Sequence, residues 1–317
     1  MRIIFMGTPE FAVPSLDAAA RRHQLLAVVT QPDRRSGRGQ KLQFSPVKER
    51  ALQYQVPIYQ PEKVNTPGFL EEMAKYEPDA IIVVAFGHKI PKAMLELPSH
   101  GCINVHASLL PKYRGAAPIH HAIMNGERVT GVTTMYLSEG WDEGDLILQA
   151  EEPILPTDTA GTLHDRLALK GAALLAETLD LLNAGTAPRV PQDHQQATYA
   201  PKLSKADAEI DWRQSAENIA NFVRGLNPWP TAYTSFHTEM IKVWEALPLG
   251  HEGGSPGEIM SISPEGILVA AGEGSLLVKK LQRQGARILD AYDAANGLRL
   301  RKGQWFGSKT RDNVKTT

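Results

Sequence analysis

Short, continuously apolar runs alternate with longer stretches of helical period through the first half of the chain. Residues 2–6, 25–30 and 80–86 read as strands, and the last, Ala80-Ile81-Ile82-Val83-Val84-Ala85-Phe86, is apolar without a break. A strand covered by helices on both faces looks like this. Between the strands, residues 9–20, 45–53, 67–76, 91–97 and 118–125 have helical spacing, most opening near a proline, with Thr8 placed to cap the first. A long amphipathic stretch, 162–182, ends near Gly185. The alternation predicts an α/β fold: a Rossmann-like, mostly parallel open sheet with helices on both faces and a crevice at the carboxyl ends of its strands.

Residues 186–205 lose all period and are rich in Pro, Gln and Ala, which reads as a linker. Beyond it, residues 215–225 fit one helix. Strand-like runs follow at 232–236, 241–246, 258–262, 266–270 and 275–281, punctuated by Gly and Pro. That spacing predicts a small C-terminal β-barrel (OB-like). The expected boundaries are a catalytic domain at 1–185, a linker at 186–205 and the barrel at 206–317.

A chain of 317 residues suits two domains. No run approaches the roughly 18 apolar residues that span a bilayer, and the first residues are too quickly interrupted for a secretory leader. One cysteine, Cys102, excludes an internal disulfide and a cysteine-based zinc cage, which fits a cytoplasmic chain. From Lys279 onward there are ten Lys and Arg against three Asp, in a chain whose net charge is −1. A polyanion-binding surface and an ordinary solvated basic face both explain this.

The segment Gly101-Cys102-Ile103-Asn104-Val105-His106 reads as a strand that breaks into the turn-rich Ala107–Gly115 stretch. Alternate side chains share a face, so Asn104 and His106 point together about 6.6 Å apart. An amide and an imidazole at a strand end suit stabilisation of charge on a reacting carbonyl oxygen. The acidic turn 138–145 follows a strand at 132–137 and places Asp142 where chemistry collects; capping a turn is its plainer explanation. Cys102 lies four strand residues from His106, about 13 Å, too far for a thiol–imidazole pair. No spacing of metal ligands stands out, so no metal is expected. The loop 31–41 carries Arg34, Arg35, Arg38 and Lys41 among glycines at a strand's carboxyl end, either as a solvated loop or as a phosphate grip. Gly7-Thr8-Pro9-Glu10 lacks a dinucleotide fingerprint.

Asn104-x-His106, Ser108-Leu109-Leu110-Pro111, Arg114-Gly115 and Gly131-Val132-Thr133 with Asp142-x-Gly144 together resemble the formyltetrahydrofolate-dependent formyltransferases. Phe5-Met6-Gly7-Thr8-Pro9-Glu10-Phe11, Gln31-Pro32-Asp33, Gly37-Arg38-Gly39, Ser45-Pro46-Val47-Lys48, Gly115-Ala116-Ala117-Pro118-Ile119 and Asn227-Pro228-Trp229-Pro230 extend the resemblance along the chain. They point to the branch whose acceptor is methionine on initiator tRNA. The resemblance implies 10-formyltetrahydrofolate as co-substrate, initiator methionyl-tRNA as partner, no membrane association, and a monomer. It implies Asn104, His106 and Asp142 as catalytic residues. The folate would lie against Phe86, Gly87 and Ile90, backbone around Glu139–Asp142, and the Ser108, Leu109, Leu110, Pro111 wall. Arg34, Arg35, Arg38, Lys41 and the barrel would hold the tRNA. Trp141 departs from the smaller aliphatic residue expected before the aspartate.

Rival acceptors on this scaffold are glycinamide ribonucleotide, an amino sugar nucleotide, or water. A non-catalytic RNA-binding protein is the reading from another class, against which the intact Asn104, His106 and Asp142 speak.

Overall fold

The computed structural model describes residues 1–36, 41–250 and 253–307, the side chains of 35, 36 and 41 excepted. The chain divides into two compact units. The first comprises Met1–Pro118, Val129–Pro153 and His164–Pro201; the second comprises Ile119–Arg128, Ile154–Leu163 and Lys202–Thr317.

A seven-stranded sheet forms the first unit. Its order is Leu146–Pro153, Val129–Tyr136, Cys102–His106, Ala80–Val84, Arg2–Gly7, Gln24–Val29 and Ile58–Tyr59. The last five strands run parallel, and the first two are antiparallel additions at one edge. Ala80–Val84 and Cys102–His106 are buried at every position, as continuous apolar runs require. Ile4, Met6, Val29, Ile81, Val83 and Cys102 belong to a core cluster that includes Met73, Phe86 and Met94. The helix Ala160–Ala184 packs against the sheet where Gly171 leaves room: a Cβ there would stand 2.9 Å from Val105 Cγ1. Thr178 and Thr134 share a buried hydroxyl–hydroxyl hydrogen bond of 2.7 Å.

The first helix begins later than the sequence suggests. A 3-10 turn covers Glu10–Ala12 and the α-helix runs Val13–Arg22, with Pro14 accommodated in its first turn. Thr8 is therefore not an N-cap; its Oγ1 donates to Phe86 O (3.4 Å) and accepts from Gln31 N–H (3.4 Å). The stretch expected as a linker also differs. As far as Pro201 it belongs to the first unit, with Val190 bridged to Leu146 and Tyr199–Ala200 paired in parallel with Arg114–Gly115. Apart from the 3-10 turn His194–Gln196, its pairing is with other segments, so it shows no period of its own.

The second unit is built on an antiparallel sheet in the order Tyr233–Phe236, Glu239–Leu249, Ser275–Arg283, Gly266–Ala270, Ile259–Ser263, with Ile288–Asp290 also on Ser275–Arg283. The two end strands do not pair with each other among the described residues; residues 303–307 run between them. Ile259 N–H donates to Gln304 O (2.7 Å), Phe306 N–H to Gly257 O (2.9 Å) and Gly307 N–H to Ser235 O (2.7 Å). Phe306 fills the enclosed end, stacked on Trp212 and edge-on to Phe236. The helix Ala216–Gly225 starts on Ser215, whose side chain accepts from Asn218 N–H, and buries Ile219, Ala220 and Val223.

Candidate active site

Asn104 and His106 are 8% and 6% exposed at the carboxyl end of the Cys102–His106 strand. The imidazole is held by backbone: Nε2 lies 2.9 Å from Tyr113 O, and a carbonyl only accepts, so Nε2 carries a proton. That leaves Nδ1 as the nitrogen available for chemistry. It faces Asp142 Oδ2 at 3.7 Å. The Asn104 side-chain amide has no hydrogen-bond partner among the described residues.

Asp142 sits at φ +53°, in the left-handed region that aspartate adopts more readily than most residues. Gly115 N–H donates to its Oδ2 (2.9 Å), and Gln192 Nε2 donates to the carbonyls of Asp142 and Gly144, each at 2.8 Å. Two glycines make the arrangement possible. A Cβ on Gly115, at φ +110°, would stand 2.8 Å from Ala200 O; one on Gly144 would stand 1.8 Å from Tyr136 O. Arg114 is 1% exposed and donates from Nε and Nη2 to Gln192 Oε1 (3.1 and 2.7 Å). Trp141 is 59% exposed, so its bulk is not pressed into the interior.

The structure sets His106 against Asp142, with Asn104 two residues back on the same strand, and disperses the residues expected around them. Ser108 is fully buried and its hydroxyl donates to Lys112 O (2.6 Å), tying the turn rather than facing a ligand. Its own carbonyl accepts from Thr133 Oγ1 (2.6 Å), which also accepts from Leu110 N–H (3.2 Å). Leu110 is buried, while Leu109 packs over Gly131 and Pro111 is half-buried. Phe86 belongs to the core, and its carbonyl accepts from Gln31 Nε2 (3.0 Å). Gly87 is exposed at φ +83°. Ile90 lines a cavity of about 520 Å³ with His88, Val64, Lys63, Lys92 and Glu139. Ser108, Leu109, Leu110 and Pro111 are not among the residues lining it.

At the base of the cationic loop, Arg34 Nη2 donates to Gln31 Oε1 (2.9 Å), and Arg34–Ser36 pairs with Lys41–Gln43. Arg38, and the side chains of Arg35 and Lys41, lie outside the described residues. Lys48 donates to Asp33 and to Gln60 Oε1, and hydrogen bonds from Lys48 and then Gln60 hold the Asp33 carboxyl below its usual range. Cys102 is spent in the core: Sγ donates to Met94 O (3.4 Å), and burial pushes its thiol up to about 12. No group of three or more metal-ligating side chains occurs among the described residues, and none of their helices is long and apolar enough to cross a membrane.

Sequence reasoning missed Tyr113, Gln192 and Thr198. Tyr113 acts through its carbonyl, which no side chain advertises. Thr198 supports the turn through its carbonyl and hydroxyl, which accept from Arg114 N–H and Tyr113 N–H (2.8 Å each). Thr133 stood inside a quoted motif, without a role.

Residues 1–179 match the formyl transferase family and residues 202–299 its C-terminal domain, so the chain belongs to the formyl transferase family. The methionyl-tRNA formyltransferase of Pelotomaculum thermopropionicum is 50% identical over 97% of this chain and 99% of its own; that of Desulforamulus reducens is 47% identical over 97% and 98%. The N-formyltransferase of Helicobacter canadensis, solved with folinic acid and dTDP-3-aminofucose, shares the fold with a TM-score of 0.65 at 19% identity, over 89% of this chain and 98% of that one.

Proposed function

We infer that the chain transfers the formyl group of 10-formyltetrahydrofolate to the α-amino group of methionine esterified to initiator tRNA. The observation carrying this reading is the His106 imidazole facing the Asp142 carboxylate, Nδ1 to Oδ2 3.7 Å, with Asn104 two residues back on the same strand. Family membership across both units, and relatives of that name at about half identity, support the choice of substrates.

The neutral amine attacks the formyl carbon, the new N–C bond forms, and the carbonyl π electrons move onto oxygen. Asn104 Nδ2–H and a proton on His106 Nδ1 donate to that oxygen. With Nε2–H already given to Tyr113 O, the proton on Nδ1 is the ring's second, and Nδ1 faces the Asp142 carboxylate at 3.7 Å. Asp142 takes the proton leaving the amine. Collapse breaks the bond between the formyl carbon and folate N10, which picks up a proton in turn. No covalent enzyme intermediate is required, since holding both substrates together removes much of the entropic barrier.

The cavity lined by Ile90, His88 and Glu139 supports a folate subsite on the first unit. Arg34, Arg35, Arg38 and Lys41 supply cations for the phosphates of the tRNA acceptor arm. A reducing cytoplasm suits a chain whose one cysteine is buried and free. The test is to incubate the protein with methionine-charged initiator tRNA and 10-formyltetrahydrofolate, and to measure blocked α-amines. Stoichiometric blocking is expected, with none on uncharged tRNA. Preferential formylation of glycinamide ribonucleotide would overturn the acceptor.

A further inference from the structure

We propose that Gln192 is a positioning residue for the transfer, fixing the Asp142 bend against His106 through a buried amide that also neutralises the reach of Arg114. This rests on the reading of His106 and Asp142 as the reacting pair. Gln192 is 6% exposed and its amide is saturated on both ends. Oε1 accepts from Arg114 Nε (3.1 Å) and Nη2 (2.7 Å), and Nε2 donates to Asp142 O (2.8 Å) and Gly144 O (2.8 Å). A guanidinium only donates and a carbonyl only accepts, so the amide has one orientation here; the flipped form sets donor against donor and acceptor against acceptor.

The bend is thus gripped twice from neighbouring residues. Gly115 N–H holds the Asp142 carboxylate, while Arg114, one residue earlier, holds Gln192, which holds the Asp142 carbonyl. The remaining donors of Arg114 reach His194 Nδ1 (3.3 Å) and Glu143 Oε1 (3.7 Å), so the guanidinium is turned wholly into this scaffold. Asp142 stands at φ +53°, in left-handed backbone, so its carbonyl and carboxylate are both placed by these bonds. Gln192 touches no reacting group. Its effect is expected on the chemical step and not on substrate capture.

Two substitutions and one reference variant test this. Gln192→Glu keeps the volume and an oxygen for Arg114, but opposes two carbonyls with a second oxygen; Gln192→Met keeps the volume and removes both sets of bonds. Both are expected to lower kcat about 10–100-fold, with KM for 10-formyltetrahydrofolate and methionyl-tRNA within about twofold. Both variants lose the bonds to the buried carbonyls of Asp142 and Gly144, so both are expected to melt several degrees lower, and kcat is measured well below each transition. Asp142→Asn, assayed alongside, is expected to lose at least as much kcat. If both folded Gln192 variants turn over within about threefold of the parent while Asp142→Asn is inactive, the inference falls and the reading of the site stands. A loss confined to melting temperature, or to KM, also overturns it. If Asp142→Asn turns over normally, the reading of the reacting pair is what fails.

Discussion

The polar groups at the Asn104–His106 strand end and the charged groups of the C-terminal sheet are built on opposite terms. At the first, side chains are buried and each but one is fixed by a backbone group: His106 by Tyr113 O, Asp142 by Gly115 N–H. At the second, several of the cations that make the tail basic are exposed and spent on partners in their own unit. Arg283 is bound to Glu239 at 2.7 and 3.0 Å, Lys280 lies 3.5 Å from Glu245, and Lys279 donates to Glu265 O. Those hydrogen bonds draw the Glu239 carboxyl down and the Arg283 guanidinium up, yet in solvent such pairs add little stability. Charge placed for chemistry is desolvated and directed; charge placed for attraction is plentiful and loosely held. The proposed function assigns turnover to the first kind and capture to the second.

The largest expected effect follows from removing a directed donor. His106→Ala or Asn104→Ala should each lower kcat about 10²–10³-fold in steady-state formylation, with KM for methionyl-tRNA little changed. Next comes the framework. Gly144→Ala places a methyl 1.8 Å from Tyr136 O, and overpacking of this kind destabilises by about 1–3 kcal/mol, readable from urea denaturation. Replacing Arg38 and Lys41 together by Ala should instead raise KM for tRNA and flatten the dependence of log KM on log salt by about one unit per cation lost, leaving kcat intact. Cys102 gives a smaller effect, set by pH. Burial raises its thiol from 9.0 to about 12, so the unfolded chain ionises first and stability should fall as pH climbs from about 9 toward 12; below 9 there is no contribution to lose. A denaturation series across that range checks it. Least affected is Arg283→Ala, for which no measurable change in melting temperature is expected.

How much of this was legible in the sequence depends on what each residue acts through. Asn104 and His106 announce themselves, because strand alternation puts them on one face and an apolar strand has no other use for them. Asp142 is visible from its place between Gly140 and Gly144 after a strand. The parallel sheet follows from runs such as Ala80–Val84. What stays hidden works through backbone or through irregular chain. The carbonyl of Tyr113 sets which imidazole nitrogen is free. Gln192 and Thr198 lie in a stretch without period, where only the short turn His194–Gln196 is local and the bonds that matter go to distant segments. The closure at Phe306 uses a short extended segment with neither alternation nor length to mark it. Thr8 looked like a cap because Pro9 follows it; the 3-10 turn Glu10–Ala12 moved the helix start to Val13. Ser108, expected to face a ligand, binds its own turn because its hydroxyl can reach Lys112 O.

A double-substitution cycle on Asn104 and His106, read as single-turnover formylation rates, tests most directly whether both donors serve one oxygen. Groups acting on a single atom are coupled, so the Asn104→Ala, His106→Ala double variant should be little slower than the worse single variant. Rates that multiply, with the double variant as slow as the product of the two single losses, would mean that amide and imidazole act at separate places and that no shared carbonyl lies between them.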